Sequence, residues 1–361
     1  MRLMEVVCTF TMGGSERLAV LLADRLREQG MHTSVCTTSG GAGPICDVMD
    51  ERGIPWFAPV ERAGNPLSRR LQLAHLFRRE RIDVLHLHHV PNLALCYWPA
   101  RLAGVRRIVM TEHTDYELRH TPRVWRRAAR FAPKAEAITV IHSGLEQLFR
   151  EVGLPADRLH RIDNGVDTRT FRPRRQARKL RPLVVGWVGR LHPDKDVDTW
   201  LRAAAYVARH SPRPVRFSVV GDGEESARAQ ALARELDIAD QVDFHGAQKD
   251  VAVFLRAMDV LALSSRTEGV PLVLLEAMAS GVPCVATAVG GIPEIIQPAW
   301  GRLVPPGEPQ AIADAVLALL SSDAERLAMG KTARQVAMER FSMEAMLARY
   351  AQVLAPTMPS A

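Results

Sequence analysis

Two glutamates, Glu268 and Glu276, stand eight positions apart around Gly269-Val270-Pro271-Leu272. Pro271 suits the first position of a helix, because its missing N–H would be unpaired there anyway. Glu268 is then expected in the loop before that helix, and Glu276 about a turn and a half inside it. The backbone N–H groups between them carry partial positive charge. Amides that can meet an anion, flanked by carboxylates that can meet hydroxyls, suit a sugar diphosphate.

A second candidate is Gly189-Arg190-Leu191-His192-Pro193-Asp194-Lys195, which follows an apolar run. Arg190 and Lys195 sit in one strand–helix loop and can both reach a single diphosphate. Alone, such a loop reads as solvated surface. Beside the paired glutamates, the diphosphate reading is preferred. Gly13-Gly14 occupies the first strand-to-helix loop, where glycine lets backbone approach a ligand closely or simply allows a tight turn with positive φ. It is neither a full Gly-x-Gly-x-x-Gly fingerprint nor a Walker-type loop, so nicotinamide enzymes and NTPases lose support.

His113, in Thr111-Glu112-His113, is placed at a strand end, where it can hydrogen-bond a sugar hydroxyl or hold geometry. Leu85-His86-Leu87-His88-His89 holds three more histidines. Strand alternation sends His86 and His88 to one face and His89 to the other, which argues against a three-histidine metal site. Gly290-Gly291-Ile292-Pro293-Glu294 opens another loop that could wall a cleft. Asn164-Gly165-Val166-Asp167 reads as a turn.

The elements that must carry these loops alternate short β-like runs with amphipathic helical stretches. Residues 3–10, 33–38, 83–88, 107–111 and 137–141 read as strands, then residues 183–188, 215–220, 242–244, 260–263 and 284–286. This is the rhythm of parallel sheets covered on both faces. The polar, basic, proline-bounded residues 173–182 read as a linker between domains at 1–172 and 183–341, a division that 361 residues allow. A helical pattern fills residues 342–354. Two such halves would hold a cleft between them, with ligands outside the carboxyl ends of strands.

Composition narrows the partners. Residues 1–180 hold 29 Lys and Arg against 19 Asp and Glu, while residues 181–361 hold 18 against 21. The basic half is either a solubilising surface or a face for something anionic, such as a membrane surface or a phosphate-bearing acceptor. Residues 69–82 and 119–134 are basic and partly amphipathic. Leu71, Leu76 and Phe77 in one, and Val124, Trp125 and Ala128 in the other, read as a core-facing stripe in preference to a membrane-surface helix. Low aromatic content (6%) and the lack of any known module speak against nucleic acid. Five scattered cysteines without a Cys-x-x-Cys pair point to a reducing cytoplasm. Neither a signal peptide nor a membrane-spanning run is evident.

Taken together, Gly13-Gly14, Gly189-Arg190 with Lys195, Gly221-Asp222-Gly223, the Glu268 to Glu276 segment with its trailing Ala277-Met278-Ala279, and Gly290-Gly291-Ile292-Pro293-Glu294 resemble the family-4 retaining glycosyltransferases. The resemblance implies a GT-B fold, an α/β architecture of two Rossmann-like domains facing across a cleft. The C-terminal domain would bind the nucleotide sugar, the N-terminal domain the acceptor, and the last helix (342–361) would return to the first domain. By the same resemblance, Arg190 and Lys195 hold the diphosphate, Glu276 the ribose, and Glu268 the donor-sugar hydroxyls. The backbone at Gly269, Val270, Pro271 and Leu272 lines the anion. His113 lies near the reacting sugar, and Gly13 and Gly14 beside the phosphates or acceptor.

The implied reaction is metal-independent and needs no cofactor. A sugar passes with retention from a nucleoside-diphosphate sugar, UDP-sugars favoured and GDP-mannose the alternative, to a glycan or lipid-linked acceptor in cell-surface polysaccharide or glycolipid synthesis. The expected location is cytoplasmic, with peripheral contact to the inner membrane face through the basic half. A sugar-nucleotide epimerase and a non-catalytic sugar-nucleotide-binding subunit remain as alternatives.

Overall fold

The alternating pattern folds as two parallel sheets. In a computed structural model, residues 1–59, 65–174 and 182–354 are described. Most of the expected linker (175–181) and the end of the final segment (355–361) lie outside the described residues. The chain divides into two units, Met1–Asp163 with Met346–Ala361, and Asn164–Ala345.

The first unit holds β1 (Arg2–Val7), β2 (His32–Thr37), β3 (Trp56–Phe57), β4 (Val84–His88), β5 (Arg107–Glu112), β6 (Ala137–Val140) and β7 (Leu159–Arg161). Their order is β3-β2-β1-β4-β5-β6-β7, with every pair parallel. Strands buried on both faces read as near-continuous apolar runs. β1 fits that rule, except that Glu5 stands fully buried in its middle. The order reverses between β1 and β4, so their carboxyl ends open the switch-point crevice of this unit.

The second unit holds β8 (Leu183–Val188), β9 (Val215–Val220), β10 (Val242–Phe244), β11 (Val260–Leu263), β12 (Cys284–Thr287) and β13 (Gly301–Val304), in the order β10-β9-β8-β11-β12-β13. Here the reversal falls between β8 and β11, which pair directly at Val185 and Val260. Trp187, Trp200 and Phe217 are fully buried in its core, Trp200 meeting Phe217 edge-on at 6.0 Å.

Sequence reading passes over β3, β7 and β13. All three are edge strands of two to four residues, too short for alternation to register. The first strand ends at Val7, not at residue 10; Phe10 instead packs edge-on against Trp56 at 5.6 Å. The basic helices Pro66–Arg79 and Pro122–Phe131 do present core stripes. The first buries Leu73, Leu76 and Phe77, while Leu71 is 57% exposed, contrary to its expected place in the stripe. The second buries Val124, Ala128 and Phe131.

Within the first unit, the helix Met343–Leu354 contributes Tyr350, fully buried against β4 and β5. Its hydroxyl lies 3.2 Å from Thr111 Oγ1 and its ring 5.3 Å from that of His86. Arg107 Nε donates to the Val353 carbonyl at 2.8 Å. Among the described residues, no helix is long and apolar enough to cross a membrane.

Candidate active site

In the second unit, the pairing of β8 with β11 brings their following loops side by side. The loop after β8 makes one 3-10 turn, Pro193–Lys195. Asp196 then adopts φ 48° and caps the helix Val197–His210 through Thr199, accepting from its N–H at 3.3 Å and its hydroxyl at 2.9 Å. The loop after β11 clasps this turn. The Ser264 hydroxyl lies 3.0 and 2.8 Å from the carbonyls of Lys195 and Asp196, and Arg266 Nε donates to Asp196 Oδ2 at 2.9 Å. With its backbone fixed, Lys195 reaches Glu268, Nζ to Oε1 at 2.7 Å. Ser265 Oγ donates to the same oxygen at 2.7 Å. Both donors therefore occupy one oxygen of a carboxylate whose side chain is only 9% exposed.

Three backings hold the Glu268 loop. Gly291 N–H donates to the Gly269 carbonyl at 2.8 Å. Asn164, buried, donates from Nδ2 to the Val270 carbonyl at 3.2 Å. Gly290 has φ 55°, and a Cβ there would fall 1.7 Å from the Glu268 carbonyl oxygen, so only glycine fits. The helix Leu272–Ala279 begins one residue later than expected. Pro271 is its cap, not its first residue, because its ψ of 120° is extended. It offers no N–H to an anion. No side chain caps the helix, which leaves its first turn open to a ligand. Glu276 is buried one turn in. Arg190 is exposed and joins no ion pair among the described residues. Its neighbour Gly189 is crossed closely by Gly221, at φ 136°, where a Cβ would meet the Gly189 carbonyl oxygen at 1.8 Å.

In the first unit, neighbouring strands β1, β4 and β5 assemble a histidine row. His113 Nε2 lies 2.7 Å from His88 Nδ1, and the two rings stack at 5.0 Å. His88 Nε2 lies 2.8 Å from Glu5 Oε2. His86 Nδ1 is also 2.8 Å from that oxygen, poorly aligned for a hydrogen bond, while its Nε2 meets Thr111 Oγ1 at 2.7 Å. Burial alone would raise the Glu5 carboxyl, but His86 and His88 outweigh it and hold the carboxyl below its ordinary range. Burial also lowers His88 against the pull of Glu5. It holds His113 well below the usual histidine value, with His88, His89 and His86 adding to the effect.

These protonation states fix the tautomers. An ionised Glu5 can only accept, so His88 carries its proton on Nε2 and offers a lone pair at Nδ1. His113 then donates from Nε2 and presents an unprotonated Nδ1, a neutral hydrogen-bond acceptor.

His89 does not leave on the opposite face. It sits past the strand end at φ 71°, and its ring lies 5.2 Å from that of His113. Its Nδ1 meets Glu112 Oε1 at 2.6 Å; burial lowers its basicity, but Glu112 prevails and raises it. Glu112 also accepts from the N–H groups of Val90 and His113, each at 3.0 Å. The expectation against a metal set considered histidines alone. Glu5, His86 and His88 each bring a ligand atom within 4.8 Å of the others. Gly13 and Gly14 begin the helix Gly14–Glu28. Neither has positive φ, so the tight-turn reading fails, and Gly13 is an uncapped helix start at φ −68°.

Comparison with known proteins covers nearly the whole chain. Residues 12–170 match the family described as Glycosyltransferase Family 4, and residues 168–336 the one described as Glycosyl transferases group 1. A GDP-mannose-dependent alpha-(1-6)-phosphatidylinositol monomannoside mannosyltransferase of Mycolicibacterium smegmatis is 32% identical, over 78% of this chain and 79% of its own.

The chain belongs to glycosyltransferase family 4.

Another relative of this glycosyltransferase is the N-acetyl-alpha-D-glucosaminyl L-malate synthase of Bacillus anthracis, 29% identical over 96% of this chain and 94% of its own. Anabaena HepE, solved in complex with UDP-glucose, superposes with a TM-score of 0.83 at 21% identity, covering 98% of this chain and 99% of its own. That likeness shows the fold, GT-B, with its two Rossmann-like domains.

Of the candidate site residues, the glycosyltransferase brings Lys195 and Glu268 into contact and backs Gly269 with the Gly290 loop. Sequence reading misses Ser265, Asn164, Glu5 and His88 as parts of these arrangements. Asn164 passed for a turn residue. Glu5 did leave a signal: a lone carboxylate within an apolar strand must find partners when buried.

Proposed function

We propose that this glycosyltransferase moves a sugar, with retention of configuration and without a metal ion, from a nucleoside-diphosphate sugar to a glycan or lipid-linked acceptor. The second unit takes the donor and the first the acceptor. The observation that carries this reading is the Lys195–Glu268–Ser265 contact set at the β8/β11 switch point, beside a helix start without a side-chain cap. It supplies a cation and amides for a diphosphate, next to a carboxylate with one oxygen still open to a hydroxyl.

In the reaction, the bond from the anomeric carbon to the phosphate oxygen breaks. The acceptor hydroxyl bonds that carbon on the same face, and its proton passes to the departing phosphate oxygen. Negative charge grows on the nucleoside diphosphate, so its stabilisation is the largest catalytic term. Lys195, exposed Arg190 and the amides of Gly269, Val270 and Leu272 take that task. Glu268 holds donor-sugar hydroxyls through Oε2. With Lys195 and Ser265 both on Oε1, it is a weak nucleophile, which favours same-face attack over a covalent intermediate. Glu276 holds the ribose. His113 accepts a hydroxyl hydrogen bond at Nδ1, and Gly13 and Gly14 line the ligand at the first helix start.

UDP-sugars are favoured as donors, GDP-mannose being the alternative; the named relatives and HepE speak for both bases. The test is a thermal-shift screen of UDP and GDP, followed by incubation of the matching sugar nucleotide. Ligands that bind only the folded state raise its melting temperature. Slow release of nucleoside diphosphate is expected. Isomerisation of the sugar without release would replace transfer by epimerisation.

A further inference from the structure

The first unit contains a cavity of about 590 Å³ whose charge is unbalanced. Arg69 and Arg70 of the helix Pro66–Arg79, and Arg126, Arg127 and Arg130 of the helix Pro122–Phe131, all line it, and no acidic residue does. None of the five forms an ion pair among the described residues. Arg69 Nη2 donates to the Ser39 hydroxyl at 3.2 Å, while its Nε is buried without a hydrogen-bond partner. Arg126 bonds only a carbonyl of its own helix, Pro122, at 3.3 Å.

Five guanidinium groups spread over a convex surface would be an ordinary solvated face. Converging on one concavity, they repel one another unless an anion enters. Planar guanidinium pairs match the oxygens of phosphate bidentately. The volume suits a small ligand. The lining also carries apolar side chains, among them Leu95, Phe131 and Trp98, the last exposed to 49%.

The floor ties this cavity to the histidine row. Asn92 lines it, accepts from Thr38 Oγ1 at 2.6 Å and donates to the His88 carbonyl at 2.7 Å. A ligand seated there is one residue removed from the backbone of the strand that carries His86 and His88.

We propose that this cavity binds the phosphoryl group of the acceptor, a phosphate or diphosphate ester whose uncharged remainder lies on Trp98. The proposal rests on the transferase reading for the word acceptor; the anion site itself rests on the arginines.

The test is calorimetric titration of the full chain, and of an Arg127→Ser/Arg130→Ser variant, with two probes: inorganic pyrophosphate and farnesyl diphosphate. Both arginines are exposed on their helix, so the variant should keep its melting temperature. Binding at the donor loop survives these substitutions, so only the arginine-dependent part counts. Loss of two charge-assisted contacts should weaken farnesyl diphosphate about tenfold or more. Arginine-dependent binding that is tighter for the ester than for pyrophosphate supports the proposal, and equal binding shows a free-phosphate site with no part for Trp98 and overturns the ester assignment. A folded variant that binds both probes as the wild type does overturns the proposal. The melting-temperature shift with UDP or GDP, measured on the same samples, reports the donor reading separately.

Discussion

Lys195 Nζ and Ser265 Oγ converge on the same oxygen of Glu268, each at 2.7 Å, and so orient its carboxylate from two loops of the second unit. Replacing Glu268 with Ala should lower turnover roughly 100- to 1,000-fold, the usual scale for a group that acts in the transition state. Donor hydrolysis and transfer assays would read it; near wild-type turnover removes Glu268 from the chemistry. Lys195→Ala should weaken nucleoside-diphosphate binding and rate together, roughly tenfold or more. Unchanged UDP and GDP affinity would deny Lys195 the diphosphate.

The tautomer of His113 is set at a distance by Glu5. Glu5→Gln can donate to His88 Nε2, which turns His88 round and makes its Nδ1 a donor. His113 must then present N–H where it now presents a lone pair. The expected result is a fall in kcat on the order of 10- to 100-fold with donor KM little changed. A purely structural role for Glu5 would lower the melting temperature and leave kcat of the folded fraction intact.

The same row makes stability depend on pH. His113 and His88 have folded values below the unfolded one, so they bind protons less readily when folded. Their contribution is present above the ordinary histidine value of 6.5 and is lost as pH falls through their lowered values. Glu5, also lowered, adds a loss further down, below the ordinary glutamate value of 4.5. His89 is raised and opposes them, contributing below 6.5 and fading as pH rises through its folded value. With His160, which burial also lowers, three lowered histidines against one raised one predict a melting temperature that falls from pH 7 to pH 5. A smaller fall in His113→Gln would identify the source, and an identical fall would exclude it.

Chelation separates two uses of the buried Glu5, His86 and His88. If they only hold His113, exhaustive treatment with EDTA leaves transfer unchanged. Activity lost with chelator and restored by a single divalent ion would instead make the trio a metal centre.

Gly290→Ala should be costly for so small a change. The added methyl meets the Glu268 carbonyl oxygen, and φ 55° is strained for alanine. A destabilisation of about 2 kcal/mol or more is expected from strain and overpacking together. Thermal melts measure it, and activity should fall with it because the Glu268 backbone must move.

Much of this was readable in the chain. The parallel α/β architecture follows from alternation, and the Lys195 and Glu268 loops follow from residue type and spacing. The rest depends on which strands become neighbours. Glu5 and His88 meet only because β4 docks beside β1, a pairing between residues 83 positions apart that no local pattern encodes. Asn164 likewise reaches Val270 across 106 positions. His89 escapes strand alternation because its backbone turns to positive φ one residue after the strand ends. The arginines were visible as a basic half, but their convergence is a product of two helices packing.

Tyr350 closes the sheet face around His86 and Thr111, yet it is encoded after the whole second sheet, far beyond β7. A ribosome making this protein releases β1 to β7 long before that side chain exists. Until the helix Met343–Leu354 is translated, a buried carboxylate and its imidazoles have no aromatic cover. Maturation of the first-made unit therefore waits for a helix that is synthesised only after all the strands of the second unit.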